Sequence, residues 1–208
     1  MRIESVSANP DRVGRYYVKL EDGTTMRLYR QTVEDFSIYA GREMDDAELE
    51  RLRVDAGRMS AKMRATRILA ATDVSKRDLQ QRLVQKGEDP DQAAEAVAWL
   101  EELNLVDDER TADIIVRRCI AKGYGLARAK QALYEKRIPK AYWDDALKDY
   151  PDQMEAIAAH LSKVDSSDPK QVKKAVDALI RKGHSYANIK KAMSELPMED
   201  DFSEDYDG

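Results

Sequence analysis

Two adjacent acids, a run of bases and a glycine-rich turn lie close together in the segment 105–133, and each could carry chemistry. The segment begins near Asp107 and Asp108 and continues through several arginines and lysines to Gly123 and Gly125. Paired carboxylates can bind a metal ion or exchange protons, glycine-rich turns can bind phosphate, and clustered bases can bind a polyanion. The residues that should accompany each kind of site decide among these alternatives.

A metal site or an acid–base pair at Asp107 and Asp108 would need further ligands or catalytic groups near them in the fold. The chain has two histidines, His160 and His184, which lie more than fifty residues away without ligand-like spacing. Aspartates that precede a helix commonly cap its first turn and face the positive end of its dipole. We therefore predict that both acids start a helix, and that the protein has no metal, no cofactor and no catalytic residues.

The turn 122–125, Lys-Gly-Tyr-Gly, does not match a nucleotide-binding loop. It lacks the third glycine of a dinucleotide-binding loop and the Gly-Lys-Ser/Thr of a P-loop. It also lies between two helical patterns rather than after a strand. We therefore interpret Gly123 and Gly125 as the end of one helix and the start of the next.

Charges alternate in blocks along the chain. Residues 58–86 carry eight bases against two acids, 88–109 nine acids and no base, 117–140 eight bases against one acid, 141–155 five acids against one base, and 170–191 seven bases against one acid. Two explanations stay open. Basic helices could pair with acidic helices of the same molecule, or they could form a row that faces one acidic or polyanionic partner.

Composition favours small helical units with much exposed surface. Of the 208 residues, 36% are charged, whereas only two are Phe and two are Trp. The segment 195–208 contains seven acids and no base, so we expect residues 197–208 to form a disordered acidic tail. A single cysteine, no signal-peptide pattern and no apolar run near the ~18 residues of a membrane span predict a cytoplasmic protein without membrane contact.

The elements that must position these residues are a small N-terminal β-segment and a long helical region. Short β-rich runs at Ile3–Val6, Tyr16–Leu20 and Thr24–Leu28, with an Asp-Gly turn signal before the last, predict a β-hairpin segment. A short helix that ends at Gly41 should follow. Further helices are predicted near 76–86, 91–103, 108–122, 126–136, 140–149, 152–163, 169–182 and 186–195.

Helix ends and an internal repeat organise the helical region. Ser75 resembles a capping residue, and Gly87 resembles a helix stop. Residues 75–83, 122–133 and 182–193 align with one another, which predicts repeated helix–turn–helix units that stack. The predicted modules are 1–57 with the β-hairpin and short helices, three-helix repeats at 58–106, 107–150 and 151–196, and the tail 197–208. We recognise no dimerisation element in the sequence, so we expect a monomer.

The order of these motifs resembles a known family. The run Leu105–Ala112, followed by Arg117 and Lys122–Arg128, resembles the central signature of the bacterial RecX regulatory proteins, and Ser75–Gly87 resembles the family's preceding motif. The resemblance covers residues 64–196. Thr111 stands where the family usually has an aromatic residue, so the packing there should differ.

The resemblance implies a mainly α-helical fold, with tandem three-helix repeats in an elongated curved array. It also implies a function: binding the RecA filament on single-stranded DNA and inhibiting its ATPase, strand-exchange and coprotease activities. We expect the binding residues to be Arg67, Arg82, Arg117, Arg118, Lys122, Arg128, Lys130, Lys182 and Lys190. Because three-helix units with basic helices also resemble helix-turn-helix modules, a stand-alone nucleic-acid-binding protein is the alternative.

Overall fold

The computed structural model describes residues 1–195, so the predicted acidic tail lies outside the described residues. The chain forms two compact units, Met1–Asp107 and Asp108–Gly208, here called the N-terminal and C-terminal units. As predicted, the fold is mostly helical with a small antiparallel sheet at the N-terminus. No helix in the described part of the chain is both long enough and apolar enough to cross a membrane.

The N-terminal unit begins with a three-stranded antiparallel sheet in the order β1-β2-β3. The strands are β1 (Ile3–Val6), β2 (Arg15–Leu20) and β3 (Thr25–Tyr29), each within one residue of its predicted bounds. Side chains of a strand alternate between its two faces, which explains why Val18 and Leu20 are buried while Lys19 is exposed.

The short helix α1 (Arg30–Asp35) ends earlier than predicted. Ser37 adopts a left-handed conformation with φ 49°, and the N–H of Ile38 donates to the carbonyl of Val33 at 2.8 Å. This bonding pattern ends the helix with a serine in the position that glycine usually occupies. The prediction that Gly41 stops the helix was therefore wrong.

Helix α2 (Asp46–Ala71) links the sheet to the first set of packed helices. Its first half buries Leu49 and Leu52 against the sheet, whereas its second half packs with α3 (Lys76–Gln85) and α4 (Pro90–Glu102). The predicted module boundary at 57/58 thus lies inside a continuous helix. The core of this three-helix set is formed by Ala61, Ala65, Leu79, Leu83, Ala96 and Leu100.

The C-terminal unit contains two further sets of packed helices. The first consists of α5 (Asp108–Ala121), α6 (Leu126–Glu135) and α7 (Trp143–Leu147), with a 3₁₀ turn at Lys140–Tyr142 where the prediction placed the start of α7. The second consists of α8 (Gln153–Leu161), α9 (Pro169–Arg181) and α10 (Tyr186–Glu195). Each set surrounds its own apolar core, one centred on Leu133 and the other on Leu179.

The similar sequences of the repeat occupy different positions in their helix sets. The turn 122–125 joins the first helix of its set to the second, but the turn 182–185 joins the second helix of its set to the third. The similarity between residues 122–133 and 182–193 therefore relates turns at non-equivalent positions. These two turns lie against each other in the C-terminal unit.

Candidate nucleic-acid interface

The bases of the N-terminal unit are largely used within the molecule. Three ion pairs join the basic segment 58–86 to the acidic helix α4 and the turn before it. They are Arg58 with Glu95 at 2.8 Å, Arg64 with Glu88 at 2.6 Å, and Lys76 with Glu101 at 2.7 Å. In this unit three bases of the block 58–86 are therefore paired with acids of the block 88–109.

The two expected binding residues of the N-terminal unit also have intramolecular partners. Arg67 donates to the hydroxyl of Tyr29 at 3.0 Å, and Arg82 pairs with Asp78 one turn earlier on α3 at 3.0 Å. The ammonium group of Lys62 lies over the ring of Trp99, 5.1 Å from the ring centre, and this cation–π contact also occupies a base of the unit. A partner that binds this surface has to compete with these contacts.

The bases of the C-terminal unit differ. Arg117, Lys122, Lys130 and Lys190 are exposed, and none of them forms an ion pair within residues 1–195. Arg118 and Arg128 are also exposed, and Arg128 has only a long contact of 3.5 Å with Glu135, which is itself half-exposed. Exposed contacts of this kind contribute little free energy, so Arg128 is available to a stronger anion.

Lys182 lies at a junction between the two helix sets of the C-terminal unit. Its carbonyl accepts the N–H of Gly125 at 2.8 Å, and the Nε2 of the adjacent buried His184 lies 3.1 Å from the carbonyl of Gly123. The turns 122–125 and 182–185 are thereby joined by one main-chain hydrogen bond and by one contact of the His184 ring with the main chain.

This contact requires glycine on both sides. Gly183 has φ +87°, and a Cβ at this position would lie 2.6 Å from the backbone nitrogen of Arg128. A Cβ at Gly125 would overlap the carbonyl group of Gly183. We had interpreted Gly125 as a helix start, and it does occupy the residue before α6, but its small size also admits the neighbouring turn.

Positive charges from both helix sets surround this junction. Burial lowers the pKa of His160, and the nearby charges of Lys182 and Lys163 lower it further. Burial raises the pKa of the Cys119 thiol, and the cations Arg128 and Lys122 act in the opposite direction. Residues far apart in sequence thus place their cations around one pair of turns.

The remaining predicted turn and cap residues lie at helix ends. The Oγ of Ser75 accepts the N–H of Asp78 at 3.1 Å, and Gly87 follows α3 with φ +88°. Asp108 is the first residue of α5 and is buried, whereas Asp107 precedes it and is exposed. Thr111, at the position that differs from the family pattern, is buried on α5.

Among residues 1–195, no group of three or more His, Cys, Asp or Glu side chains is arranged to hold a metal ion. The sequence pattern does not predict the junction between the two turns, because their similarity indicates a repeat rather than a contact. The signal that could have found it is the pairing of two Lys-Gly turns, 122–125 and 182–185, each with a small residue at its fourth position.

The comparisons with known proteins agree with this architecture. A family profile described as RecX, second three-helix domain, matches residues 107–147. The regulatory protein RecX of Clostridioides difficile (strain 630) is 27% identical over 203 residues, which cover 94% of this chain and 94% of that protein. The regulatory protein RecX of Vibrio campbellii is 28% identical over 147 residues, which cover 68% of this chain and 95% of that protein.

These similarities support the RecX family for this chain. A crystal structure of a regulatory protein RecX shares its fold with a TM-score of 0.62 at 20% identity, covering 93% of this chain and 99% of the other. The structure of RecX from Lactobacillus salivarius has a TM-score of 0.58 at 24% identity, covering 67% of this chain and 96% of the other. The matched residues 107–147 contain α5, α6 and α7, and they include Arg117 on α5, Lys122 in the turn that follows α5, and Lys130 on α6.

Proposed function

We propose that this chain binds the RecA filament on single-stranded DNA and lowers its ATPase, strand-exchange and coprotease activities. The observation that carries the proposal is the set of exposed bases in the C-terminal unit that form no ion pair within residues 1–195, namely Arg117, Lys122, Lys130 and Lys190. Membership in a family whose proteins are named regulatory proteins supports it.

The physical basis is electrostatic. A nucleoprotein filament presents phosphates together with acidic protein surface, and exposed cations that replace condensed counterions gain affinity from their release. Lys122, Arg128 and Lys182 lie around one junction, so a partner can contact cations of both helix sets together. Bases that are already paired, such as Arg64, add much less to the binding affinity because their own ion pair must first be broken.

In this proposal the protein acts by occupying the filament rather than by catalysing a reaction. Binding that favours one state of the filament shifts the filament toward that state, and the size of the shift depends on the difference in affinity. We further propose that the protein acts as a monomer in the cytoplasm. Sedimentation equilibrium at micromolar concentration measures the first of these two properties directly.

The test is co-sedimentation with RecA filaments assembled on single-stranded DNA with a slowly hydrolysed ATP analogue. We expect the protein to pellet with the filament more than with the same DNA without RecA. Addition of the protein to RecA, ATP and single-stranded DNA should also lower the rate of ATP hydrolysis and of strand exchange. Folded protein in excess that neither pellets nor changes these rates would contradict the proposal.

The second candidate is duplex DNA binding by a helix-turn-helix mode, which the match to a three-helix domain favours. Footprinting on duplex DNA separates the two functions. A sequence-dependent footprint without RecA supports the second, whereas protection that depends on RecA supports the first.

A further inference from the structure

Two tyrosines of the C-terminal unit are exposed beside an exposed lysine. Tyr134 on α6 is 68% exposed and Tyr186 on α10 is 61% exposed. Lys130 precedes Tyr134 by four residues, and Lys190 follows Tyr186 by four residues. Residues four apart share one face of a helix, so each ring has a cation beside it. Neither lysine forms an ion pair in the described chain.

Other aromatic side chains already have intramolecular contacts. The Tyr17 ring carries the guanidinium of Arg27 at 5.6 Å, and the indole N–H of Trp143 donates to the carbonyl of Ile138 at 3.0 Å. The hydroxyls of Tyr134 and Tyr186 form no hydrogen bond, and no cation lies over either ring, among residues 1–195. Single exposed apolar residues are ordinary on a protein surface, but a tyrosine–lysine pair on each of two contacting helix sets is a pattern.

The two helices that carry these pairs both begin at the junction of the turns 122–125 and 182–185. Helix α10 begins at Tyr186, three residues after Gly183, which contacts the backbone of Arg128. Tyr134 lies six residues after Arg128 on α6, a rise of about 9 Å along the helix. One short single strand could therefore contact both rings.

We propose that Tyr134 and Tyr186 stack on bases of single-stranded nucleic acid while Lys130 and Lys190 contact phosphates of the same strand. The proposal rests on the proposed function for the choice of a polyanionic partner and adds direct contact with bases. Aromatic rings bind all bases because every base has a π-face, whereas lysines respond only to charge. An acidic protein surface would use the two lysines and leave the two rings without a role.

The experiment measures the anisotropy of a labelled oligo(dT) and of an abasic oligonucleotide of equal length, both with the full chain. The abasic strand keeps the phosphates and lacks the bases. We expect wild-type protein to bind oligo(dT) more tightly, and the double change Tyr134→Ala and Tyr186→Ala to lower that affinity at least about fivefold for each ring lost. Affinity for the abasic strand should change less than twofold.

Two control variants accompany this measurement. Tyr39→Ala removes a ring that is 60% exposed in the N-terminal unit and should leave oligo(dT) affinity unchanged. The double change Tyr134→Phe and Tyr186→Phe keeps the stacking faces and should bind like wild type. Equal affinity of wild type for the two oligonucleotides, no binding of either, or an equal loss on both in the alanine variant would overturn the proposal.

The proposed function is tested separately by co-sedimentation of the same variants with RecA filaments. Base-dependent binding to oligo(dT) without any binding to the filament would sustain the stacking inference and reject the proposed function. Filament binding that is unchanged in the alanine variant, together with equal affinities for the two oligonucleotides, would sustain the proposed function and reject the stacking inference.

Discussion

The N-terminal and C-terminal units carry basic segments of similar charge and use them in different ways. In the N-terminal unit, the acidic block 88–109 includes helix α4, which packs directly on the helices of the basic block 58–86. In the C-terminal unit, Arg117, Lys122 and Lys130 form no ion pair with a carboxylate of the described chain. Net charge of a segment therefore does not identify a binding surface; the position of the nearest acidic helix does.

The two units also differ in how their glycine turns are packed, and this difference should have the largest effect. Gly183 has φ +87° and no space for a Cβ, whereas Gly87 has φ +88° and nothing within 4 Å. We expect Gly183→Ala to lower the free energy of unfolding by about 3 kcal/mol, because left-handed strain and steric overlap add. Gly87→Ala should cost only about 1 kcal/mol, from left-handed strain alone.

Urea unfolding followed by circular dichroism measures both variants. The comparison depends on the junction, because the two positions have the same backbone conformation and differ only in their surroundings. Equal losses in the two variants would show that the close contact between the turns 122–125 and 182–185 contributes nothing to stability.

The second prediction compares the loss of bases from the C-terminal unit with the loss of bases from the N-terminal unit. The triple change Arg117→Ala, Lys122→Ala and Lys130→Ala should lower filament affinity near 0.1 M salt between about tenfold and about a hundredfold. Each phosphate contact contributes about 0.7 to the salt slope on single strands, so the slope should also fall by about 2. Salt titrations of filament binding measure both quantities.

The matched control is Arg58→Ala, Arg64→Ala and Lys76→Ala in the N-terminal unit, where each base has an acidic partner. Its filament affinity should change less than about threefold, since these cations lie 2.6–2.8 Å from their acidic partners, closer than the 3.5 Å contact of Arg128 with Glu135. A larger loss of affinity in this control than in the C-terminal variant would show that the binding surface lies in the N-terminal unit and that the proposal is wrong.

Sequence patterns predicted the helices well where their ends carry strong local signals. The helices predicted near 91–103 and 169–182 begin at Pro90 and Pro169 after the capping residues Asp89 and Asp168, and Gly87 follows the end of α3. The end of α1 was missed because Ser37, a residue with no preference for the left-handed region, performs the role of a C-terminal glycine.

The candidate site was harder to predict than the fold. Bases on a helix surface are visible in the sequence, but whether each base is neutralised depends on which helices pack together. Arg64 and Arg117 look equivalent as sequence, and only tertiary contacts distinguish them. The junction of Gly125 with Lys182 is a main-chain contact between residues 57 positions apart in the sequence, for which no local propensity exists.

A third prediction tests the ion pairs of the N-terminal unit by stability rather than by binding. Glu88 is 8% exposed and pairs with Arg64, so the change Arg64→Met leaves a buried carboxylate without its cation. We expect a loss of about 1–3 kcal/mol in the free energy of unfolding. Arg117→Met, at an exposed base without an ion pair in the described chain, should change it by less than about 0.5 kcal/mol. A loss for Arg117→Met as large as that for Arg64→Met would remove the distinction between the units.

The smallest effect concerns the turn that carries Lys122. The hydroxyl of Tyr150 donates to the carbonyl of Tyr124 at 2.7 Å, and burial raises the pKa of Tyr150 to about 12. Tyr150→Phe removes this neutral hydrogen bond and should cost about 1 kcal/mol at pH 7. Tyr134→Phe, which changes an exposed ring, should cost nothing measurable.

The raised pKa of Tyr150 also fixes the sign of a pH effect. Between its ordinary pKa of 10.0 and its folded value of about 12, the folded state retains a proton that the unfolded state has lost. Stability therefore falls as pH rises through this window, and Tyr150→Phe lacks this contribution. The stability advantage of wild type over the variant should shrink from pH 9 to pH 12, as measured by urea unfolding at each pH. An advantage that stays constant from pH 9 to pH 12 would show that the Tyr150 hydroxyl is not what holds the C-terminal turn.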